Sequence, residues 1–326
     1  IGDDSELPLA VAALYNSNRH GVVKAAYPGP LAVVDADQIV SRLSAQSLLR
    51  PGIWDVYHEL LTGNQGNALF LRTVPEGIAT TFDALHAGAG KALVVGVISA
   101  SDRTVTLNPP GSSAVQTADE LIFIAREYKD CRIEPAEPTI AKTNLNLTQR
   151  HAERGRILIL GWSRKVPLLL KELLSYPESI AGIDVVGITP ISEREGALAE
   201  QALVQHHTVN FLDPDALTEI APESYDHLIL VARERLGEEA IADAATLSAY
   251  LALRPLRNAD RGNVFVEVLE SENECLFDTL RDDVMCSPMV VSYMLSQVAL
   301  RPDLGQLFSR LAQPTGTRIS LRTLPT

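Results

Sequence analysis

The sequence predicts an α/β protein with a doubly wound parallel sheet in the second half of the chain and a small α+β unit before it. Between residues 156 and 269, short apolar runs alternate with helical segments, which is typical of a parallel sheet covered by helices. In the first half, short strand-like runs outnumber helical segments. The chain has 326 residues, enough for two compact units.

The predicted parallel sheet begins with a strand at residues 156–160 that ends at Gly161. A helix follows, with Pro167 in its first turn. This strand, turn and helix predict the start of a Rossmann-like sheet. The other predicted strands span 184–189, 208–212, 227–232 and 263–269, and the predicted helices span 193–205, a short stretch after residue 213, and 238–253.

The first half begins with a predicted strand at residues 9–14 and an amphipathic helical stretch at 37–61. A small α+β unit follows, with strands at 68–73, 92–98, 104–107 and 120–125 and a helix at 80–86. Residues 130–154 contain Glu-Pro twice and many Asn and Thr residues, which predicts a linker.

The chain contains an internal repeat with a period near 250 residues. A shift of 251 places Val40, Ser41, Gln46, Leu49, Arg50, Pro51 and Leu60 on Val291, Ser292, Gln297, Leu300, Arg301, Pro302 and Leu311. The repeat predicts a Rossmann unit, a long helix and a small α+β unit, in that order, with neither copy whole in this chain. The alternative is that Leu-Arg-Pro is only a shared helix terminator.

Composition excludes several classes of function. The 28 Lys and Arg residues against 41 Asp and Glu residues give a net charge of −13, and no basic cluster interrupts this acidity, so a nucleic-acid partner is not expected. Three cysteines without paired spacing predict neither a disulfide framework nor a zinc site, as in a reduced intracellular protein. No apolar run has the length of a membrane-spanning helix.

Several motifs together resemble one family. Val95-Gly96-Val97, Leu107-Asn108-Pro109-Pro110 and the run from Ala118 to Ile124 are similar to the C-terminal subdomain of RCK (TrkA-type) gating domains. The turn Ile159 to Arg164, Asn16-Ser17-Asn18 with Val22-Val23-Lys24, and Arg50 to Trp54 resemble the cytosolic region of the CASTOR/POLLUX ion channels. The resemblance covers nearly the whole chain in the same order.

The resemblance implies a gating ring on the cytoplasmic side of a membrane, attached to a pore in the same parent protein. It implies a homo-oligomer formed through crossover helices at 37–61 and 287–311. The alternative is that the apolar faces of these helices pack inside their own domain.

The repeat and the resemblance together predict five segments. These are the end of a first RCK Rossmann unit with its crossover helix at 1–63, a C-terminal-type α+β subdomain at 64–128, a linker at 129–154, a second Rossmann-like unit with its crossover helix at 155–313, and the start of a second C-terminal-type subdomain at 314–326.

The turn after the first strand is the first candidate ligand site. Dinucleotide folds use Gly-x-Gly-x-x-Gly and an acidic residue at the end of the second strand. Here only Gly161 is kept, Trp162, Ser163 and Arg164 fill the loop, and the second strand ends at Thr189, so conventional NAD binding is disfavoured. Free amides with Arg164 would suit an anion or a phosphate, and an empty structural turn is the alternative.

Carboxylates after the predicted strands are the second candidate. Asp213 and Asp215 follow the third strand, while Glu270 and Glu272 follow the fifth. Carboxylate oxygens ligate Ca²⁺, and the ends of these strands could meet at the crevice of the sheet, where Asp213 and Glu270 would also face a nucleotide. The alternative is that they cap helices or are solvated.

These observations favour a regulatory module without catalytic residues, sensing a small ligand or ion at the Rossmann crevice and coupling it to movement between domains. The cofactor stays open between a nucleotide such as NAD and Ca²⁺. An NAD(P)-dependent oxidoreductase on the same sheet is an alternative that the missing glycines and ribose acid disfavour. A Rossmann scaffold that binds nothing is another.

Overall fold

The computed structural model describes residues 7–15, 19–63, 66–78, 80–137, 154–194, 196, 201–233, 239–257, 264–279, 281–313, 316–317, 319 and 321. The predicted linker and the predicted start of a second small subdomain therefore lie largely outside the described residues. Among the described helices, none combines the length and the apolar character that crossing a membrane requires.

The described strands and helices are numbered in chain order. The strands are β1 (Ala10–Leu14), β2 (Leu31–Asp35), β3 (Ala68–Thr73), β4 (Thr80–Thr81), β5 (Leu93–Ile98), β6 (Val105–Leu107), β7 (Ala114–Val115), β8 (Glu120–Ala125), β9 (Gly155–Leu160), β10 (Ile180–Gly187), β11 (Val204–Thr208), β12 (His227–Leu230), β13 (Val264–Val268) and β14 (Asp283–Cys286). The helices are α1 (His20–Ala26), α2 (Ala36–Leu49), α3 (Ile53–Thr62), α4 (Phe82–Gly88), α5 (Val166–Leu173), α6 (Pro214–Ile220), α7 (Glu239–Leu253), α8 (Ser287–Leu300) and α9 (Asp303–Leu311).

The second half forms a parallel six-stranded sheet in the order β11-β10-β9-β12-β13-β14. The strands are apolar on both faces because both faces are covered. Ile157 and Ile159 of β9 pack with α2 and α5, while Leu158 and Leu160 pack with α6 and α7. The predicted α/β fold with a Rossmann-like, doubly wound sheet is confirmed.

The predictions for this sheet differ from the structure at β10, β11 and β14. The strand β10 spans 180–187 instead of 184–189. The third strand spans 204–208 instead of 208–212, so Val204 and Gln205 belong to β11 and not to the end of a helix at 193–205. The short strand β14 was not predicted. It adds a sixth strand beside β13, paired from Phe265↔Asp283 to Val268↔Cys286.

The small unit contains an antiparallel sheet in the order β3-β8-β5-β6, with β4 paired to β7 at its side. One face of the sheet packs with α4 around Leu121 and Phe123. The other face, including Leu71 and Ile122, joins the core that contains α3, α8 and α9. The small unit is therefore attached to the helices that join the two halves of the chain.

The two segments that carry Leu-Arg-Pro share four elements in the same order, although α1 lies between the strands of the first and a 3-10 segment between those of the second. β1, β2, α2 and α3 in the first half correspond to β13, β14, α8 and α9 in the second, and in both the two strands are parallel. In both, the long helix stops before Pro51 or Pro302, since proline disfavours helical geometry at the residue before it. Each predicted crossover helix is thus two helices. The placement of domain boundaries around these segments stays a prediction.

The two halves exchange helices. Helix α2 of the first half packs on α5 and over β12 and β13 of the large sheet, and α8 of the second half packs over β1 and β2. The apolar faces predicted for subunit assembly are buried by this exchange, with Tyr57 and Leu304 each 1% exposed. These faces contact the other half of the same chain, and the predicted role of the helices in assembly between subunits is not shown.

Candidate functional site

A cavity of about 340 Å³ lies at the carboxyl edge of the large sheet, where the two halves of the chain meet. The first half contributes the end of β1 and the start of α2, and the second contributes the loop after β9, the ends of β12 and β13, and the starts of α7 and α8. The residues around it are Tyr15, Ala36, Asp37, Val40, Arg164, Lys165, Arg233, Glu239, Ala242, Leu269, Ser287, Pro288 and Val291.

Gly161 ends β9 and lets the chain turn beside β12. Its φ of +111° is one that residues with a side chain rarely adopt. A Cβ atom at this position would lie 2.4 Å from the carbonyl oxygen of Val231, so the close approach of the two backbones also requires glycine. Gly161 therefore has a structural reason to be present that needs no nucleotide.

The side chains of Trp162 and Arg194 occupy the space beside the carboxyl ends of β10 and β11. The Arg194 guanidinium lies 5.4 Å from the centre of the Trp162 ring, and both side chains are buried. Arg194 donates to the carbonyl oxygens of Thr189 (2.9 Å), Gly187 (2.9 Å) and His207 (2.8 Å). Burial lowers the pKa of Arg194, because removal from water disfavours the charged guanidinium.

The contacts of Arg194 explain why no acidic residue is needed after β10, the second strand of the sheet in chain order. In a dinucleotide fold the end of this strand presents an acid to the ribose. Here the carbonyl of Thr189 instead accepts from Arg194, and Trp162 packs against the same guanidinium. The chain's own side chains occupy this part of the crevice, which disfavours an extended dinucleotide and supports the interpretation from the missing glycines.

Lys165 and Glu267 form a buried ion pair on the sheet side of the cavity. The side chains are 7% and 5% exposed. Lys165 Nζ also donates to Ser287 Oγ at the start of α8 (3.2 Å), and Glu267 Oε2 accepts from the backbone N–H of Ala232 (3.2 Å). A single charge pair thus connects the loop after β9, the end of β12, the strand β13 and the helix α8.

Arg164 joins the two halves at the mouth of the cavity. Its Nε donates to Asp37 Oδ2 at the start of α2 (2.8 Å), and its guanidinium lies 4.8 Å from the centre of the Tyr15 ring. Asp37 is buried, whereas the Arg164 side chain is 51% exposed. Close by, the hydroxyl of Ser41 donates to the carbonyl of Lys165 (3.1 Å), so the loop after β9 contacts α2 at two points.

Arg233 and Glu239 complete the charged lining. The side chains around the cavity thus include three cations, Arg164, Lys165 and Arg233, and two carboxylates, Asp37 and Glu239. Helices α2 and α8 both begin at the cavity, and their first turns add positive dipole ends. The lining is less acidic than the chain as a whole.

The structure places the predicted carboxylates far apart. β11 and β13 lie on either side of three other strands, a separation of about 19 Å at the usual strand spacing. Asp213 caps α6 by accepting from the N–H of Asp215 (3.1 Å), and both are exposed. The expectation that Asp213 and Glu270 converge is therefore wrong, because the sequence does not give the order of the strands.

Glu270 and Glu272 lie in a short 3-10 segment and its flank after β13. Glu270 accepts from the side-chain amide of Asn273 (3.2 Å), and Glu272 is exposed and accepts from Ser271 (3.3 Å). Within the described ranges, no group of three or more His, Cys, Asp or Glu residues is arranged to hold a metal ion. The predicted Ca²⁺ ligands are not brought together.

Two side chains that shape the cavity and the adjoining crevice, Arg194 and Glu267, were not identified from the sequence. Arg194 follows a strand without any motif. Glu267 had a signal, because it is the one charged residue inside the apolar run of β13, and a charge in a buried strand needs a partner. Arg164 was predicted from its turn alone, and the fold brings it together with Asp37 and Lys165 at one cavity.

Comparison with known proteins supports the resemblance noted in the sequence. Residues 37–141 match the family model described as "Castor and Pollux, part of voltage-gated ion channel". The chain is 21% identical over 336 residues to the probable ion channel POLLUX of Arabidopsis thaliana, covering 90% of this chain and 40% of the relative. It is 24% identical over 237 residues to the ion channel CASTOR of Lotus japonicus, covering 69% of this chain and 27% of the relative. The chain thus spans two fifths or less of these relatives.

The fold is shared with a solved gating ring. The structure of the human SLO3 gating ring superposes with a TM-score of 0.66 at 12% sequence identity, covering 94% of this chain and 67% of that one. The relatives and this neighbour are named as ion channels and a gating ring rather than as enzymes, in agreement with the non-catalytic interpretation.

Proposed function

We propose that this chain is a regulatory module of a CASTOR/POLLUX-like ion channel, in which a small ligand in the cavity between the two halves changes the angle between them. The observation that carries the proposal is the position of the cavity, which is lined by β1 and α2 of one half and by the sheet, α7 and α8 of the other. A ligand that contacts both halves binds one relative orientation more tightly than another, and such differential affinity can shift a gate.

The Arg164 contacts support this coupling. Arg164 belongs to the second half, while Asp37 and Tyr15 belong to the first, and all three line the cavity. An anion bound beside Arg164 would compete with Asp37 for the same guanidinium. Binding would then weaken a contact that holds the two halves together at this edge.

The charge of the lining favours a ligand with a phosphate or carboxylate group over a free divalent cation. Arg164 and Arg233 line the cavity, and guanidinium groups bind such anions with paired hydrogen bonds, whereas the charge of Lys165 is paired with Glu267. Trp162 and Arg194 close the adjoining part of the crevice, which favours a ligand smaller than a dinucleotide.

Assembly and location belong to the same proposal. The module would form a homo-oligomeric ring on the cytoplasmic side of the membrane and act on a pore carried elsewhere in the parent protein. The SLO3 gating-ring fold supports a ring, and the burial of the helix faces at 37–61 and 287–311 means that other surfaces would have to form it.

The test is a thermal-unfolding screen of the purified chain with inorganic phosphate, ATP, NAD⁺ and CaCl₂. A phosphate-bearing probe at a hundred times its Kd should stabilise the chain by about 2.7 kcal/mol. The same probe should have much less effect on Arg164→Gln. Small-angle scattering with and without the probe would report the change in angle. Stabilisation by CaCl₂ alone, or an equal shift in both proteins, would contradict the proposed site.

A further inference from the structure

The interface between the two helix pairs has a local twofold symmetry that is marked by two glutamines. Gln46 of α2 donates through Nε2 to the carbonyl of Leu311 at the end of α9, at 3.4 Å. Its repeat counterpart, Gln297 of α8, donates to the carbonyl of Leu61 at the end of α3, also at 3.4 Å. Each glutamine thus binds the last turn of a helix in the opposite half.

The two contacts differ in how firmly they are held. On the first side, the Tyr57 hydroxyl lies 2.6 Å from Gln46 Oε1 and 3.0 Å from the Leu311 carbonyl oxygen. Gln46 is fully buried and Tyr57 is 1% exposed. Tyr57, Gln46 and Leu311 therefore form a closed polar node with the amide oxygen, the amide nitrogen and the hydroxyl all engaged.

The second side lacks such a node. A shift of 251 places Phe308 where the first side has Tyr57, and phenylalanine has no hydroxyl to bind a glutamine or a carbonyl. Gln297 is half-buried, so water can replace its hydrogen bond to Leu61 at small cost. The accepting carbonyl is also displaced by one residue, since Leu60 rather than Leu61 is the counterpart of Leu311.

We infer that this interface is a hinge that is fixed at the node of Tyr57, Gln46 and Leu311 and adjustable at the contact of Gln297 with Leu61. Separating the buried partners of the node would leave polar atoms without hydrogen bonds, whereas water can solvate the half-buried Gln297 when its contact opens. Rotation between the halves would therefore occur about the node and open the opposite side first. The asymmetry belongs to the chain itself and does not depend on a ligand.

Hydrogen exchange under native conditions tests the inference in the whole chain. In the unaltered protein, backbone amides of residues 58–62 should exchange faster than those of 308–311. Tyr57→Phe removes the shared hydroxyl and leaves the buried Gln46 oxygen without its donor, so exchange in 308–311 should rise about tenfold. Gln297→Leu is the matched variant and should change exchange in 58–62 less than threefold.

Amides of β9 serve as the reference, because the large sheet should not respond to either substitution. Two results would overturn the hinge. One is equal protection of the two helix ends in the unaltered chain. The other is a larger effect of Gln297→Leu than of Tyr57→Phe.

Discussion

The buried pair of Lys165 and Glu267 gives the sharpest prediction about the cavity. Glu267→Gln keeps an oxygen that can accept from the Ala232 N–H but removes the negative charge beside Lys165. The Lys165 ammonium, 7% exposed, then loses the Glu267 carboxylate, and the buried charge pair is broken. A buried charge that loses its partner costs about 3–5 kcal/mol of stability.

Urea unfolding at pH 7, followed by circular dichroism, measures this loss. Glu267→Gln and Lys165→Met should each lower the unfolding midpoint strongly. The double variant should recover most of the loss, because it removes both charges and keeps the acceptor for the Ala232 N–H. Single variants within about 1 kcal/mol of the unaltered protein, or a double variant that shows the sum of both losses, would refute the assignment of a coupled buried pair.

Two further predictions concern pH and backbone geometry. Burial lowers the pKa of His227, so its contribution to stability is complete above the ordinary value of 6.5 and is lost as pH falls from there through the lowered pKa. The melting temperature should fall as the pH is lowered from 7.5 to 5.5, and His227→Gln should reduce this fall. The same dependence of melting temperature on pH in both proteins would contradict the role of His227. Gly161→Ala should lower the free energy of unfolding by more than about 2 kcal/mol, because of the positive φ and the nearby Val231 carbonyl. Gly21→Ala is the control: it lies in α1 with open space around it, and should be neutral or stabilising by about 0.5–1 kcal/mol. Equal effects of the two variants in thermal unfolding would show that the Val231 carbonyl does not require glycine at position 161.

Much of the fold was predictable because strong periodicity and turn residues mark its elements. β9, α7 and β13 lie within one or two residues of their predicted positions, and α5 has Pro167 in its first turn as predicted. β14 could not be distinguished from loop, since four residues before a helix give no clear period. β11 was placed too late because His206 and His207 interrupt its apolar pattern, and this edge strand is largely exposed.

The candidate site was less predictable, for a physical reason. A sequence shows which residues end each strand, but the order of strands in the sheet decides which ends become neighbours. Asp213 and Glu270 were separated in this way. Asp37 and Arg164, 127 positions apart, were joined because the exchange of helices brings the start of α2 to the loop after β9. No local pattern reports a contact of that kind.

The helix exchange has a consequence for how this molecule responds to dilution. Two separate polypeptides that completed each other's cores in this manner would come apart as their concentration fell. Covalent connection replaces that bimolecular step by an intramolecular one, whose effective concentration does not fall on dilution. The pairing of the halves should therefore persist at the low copy number of a scarce protein, and its loss would require local unfolding instead of simple dissociation.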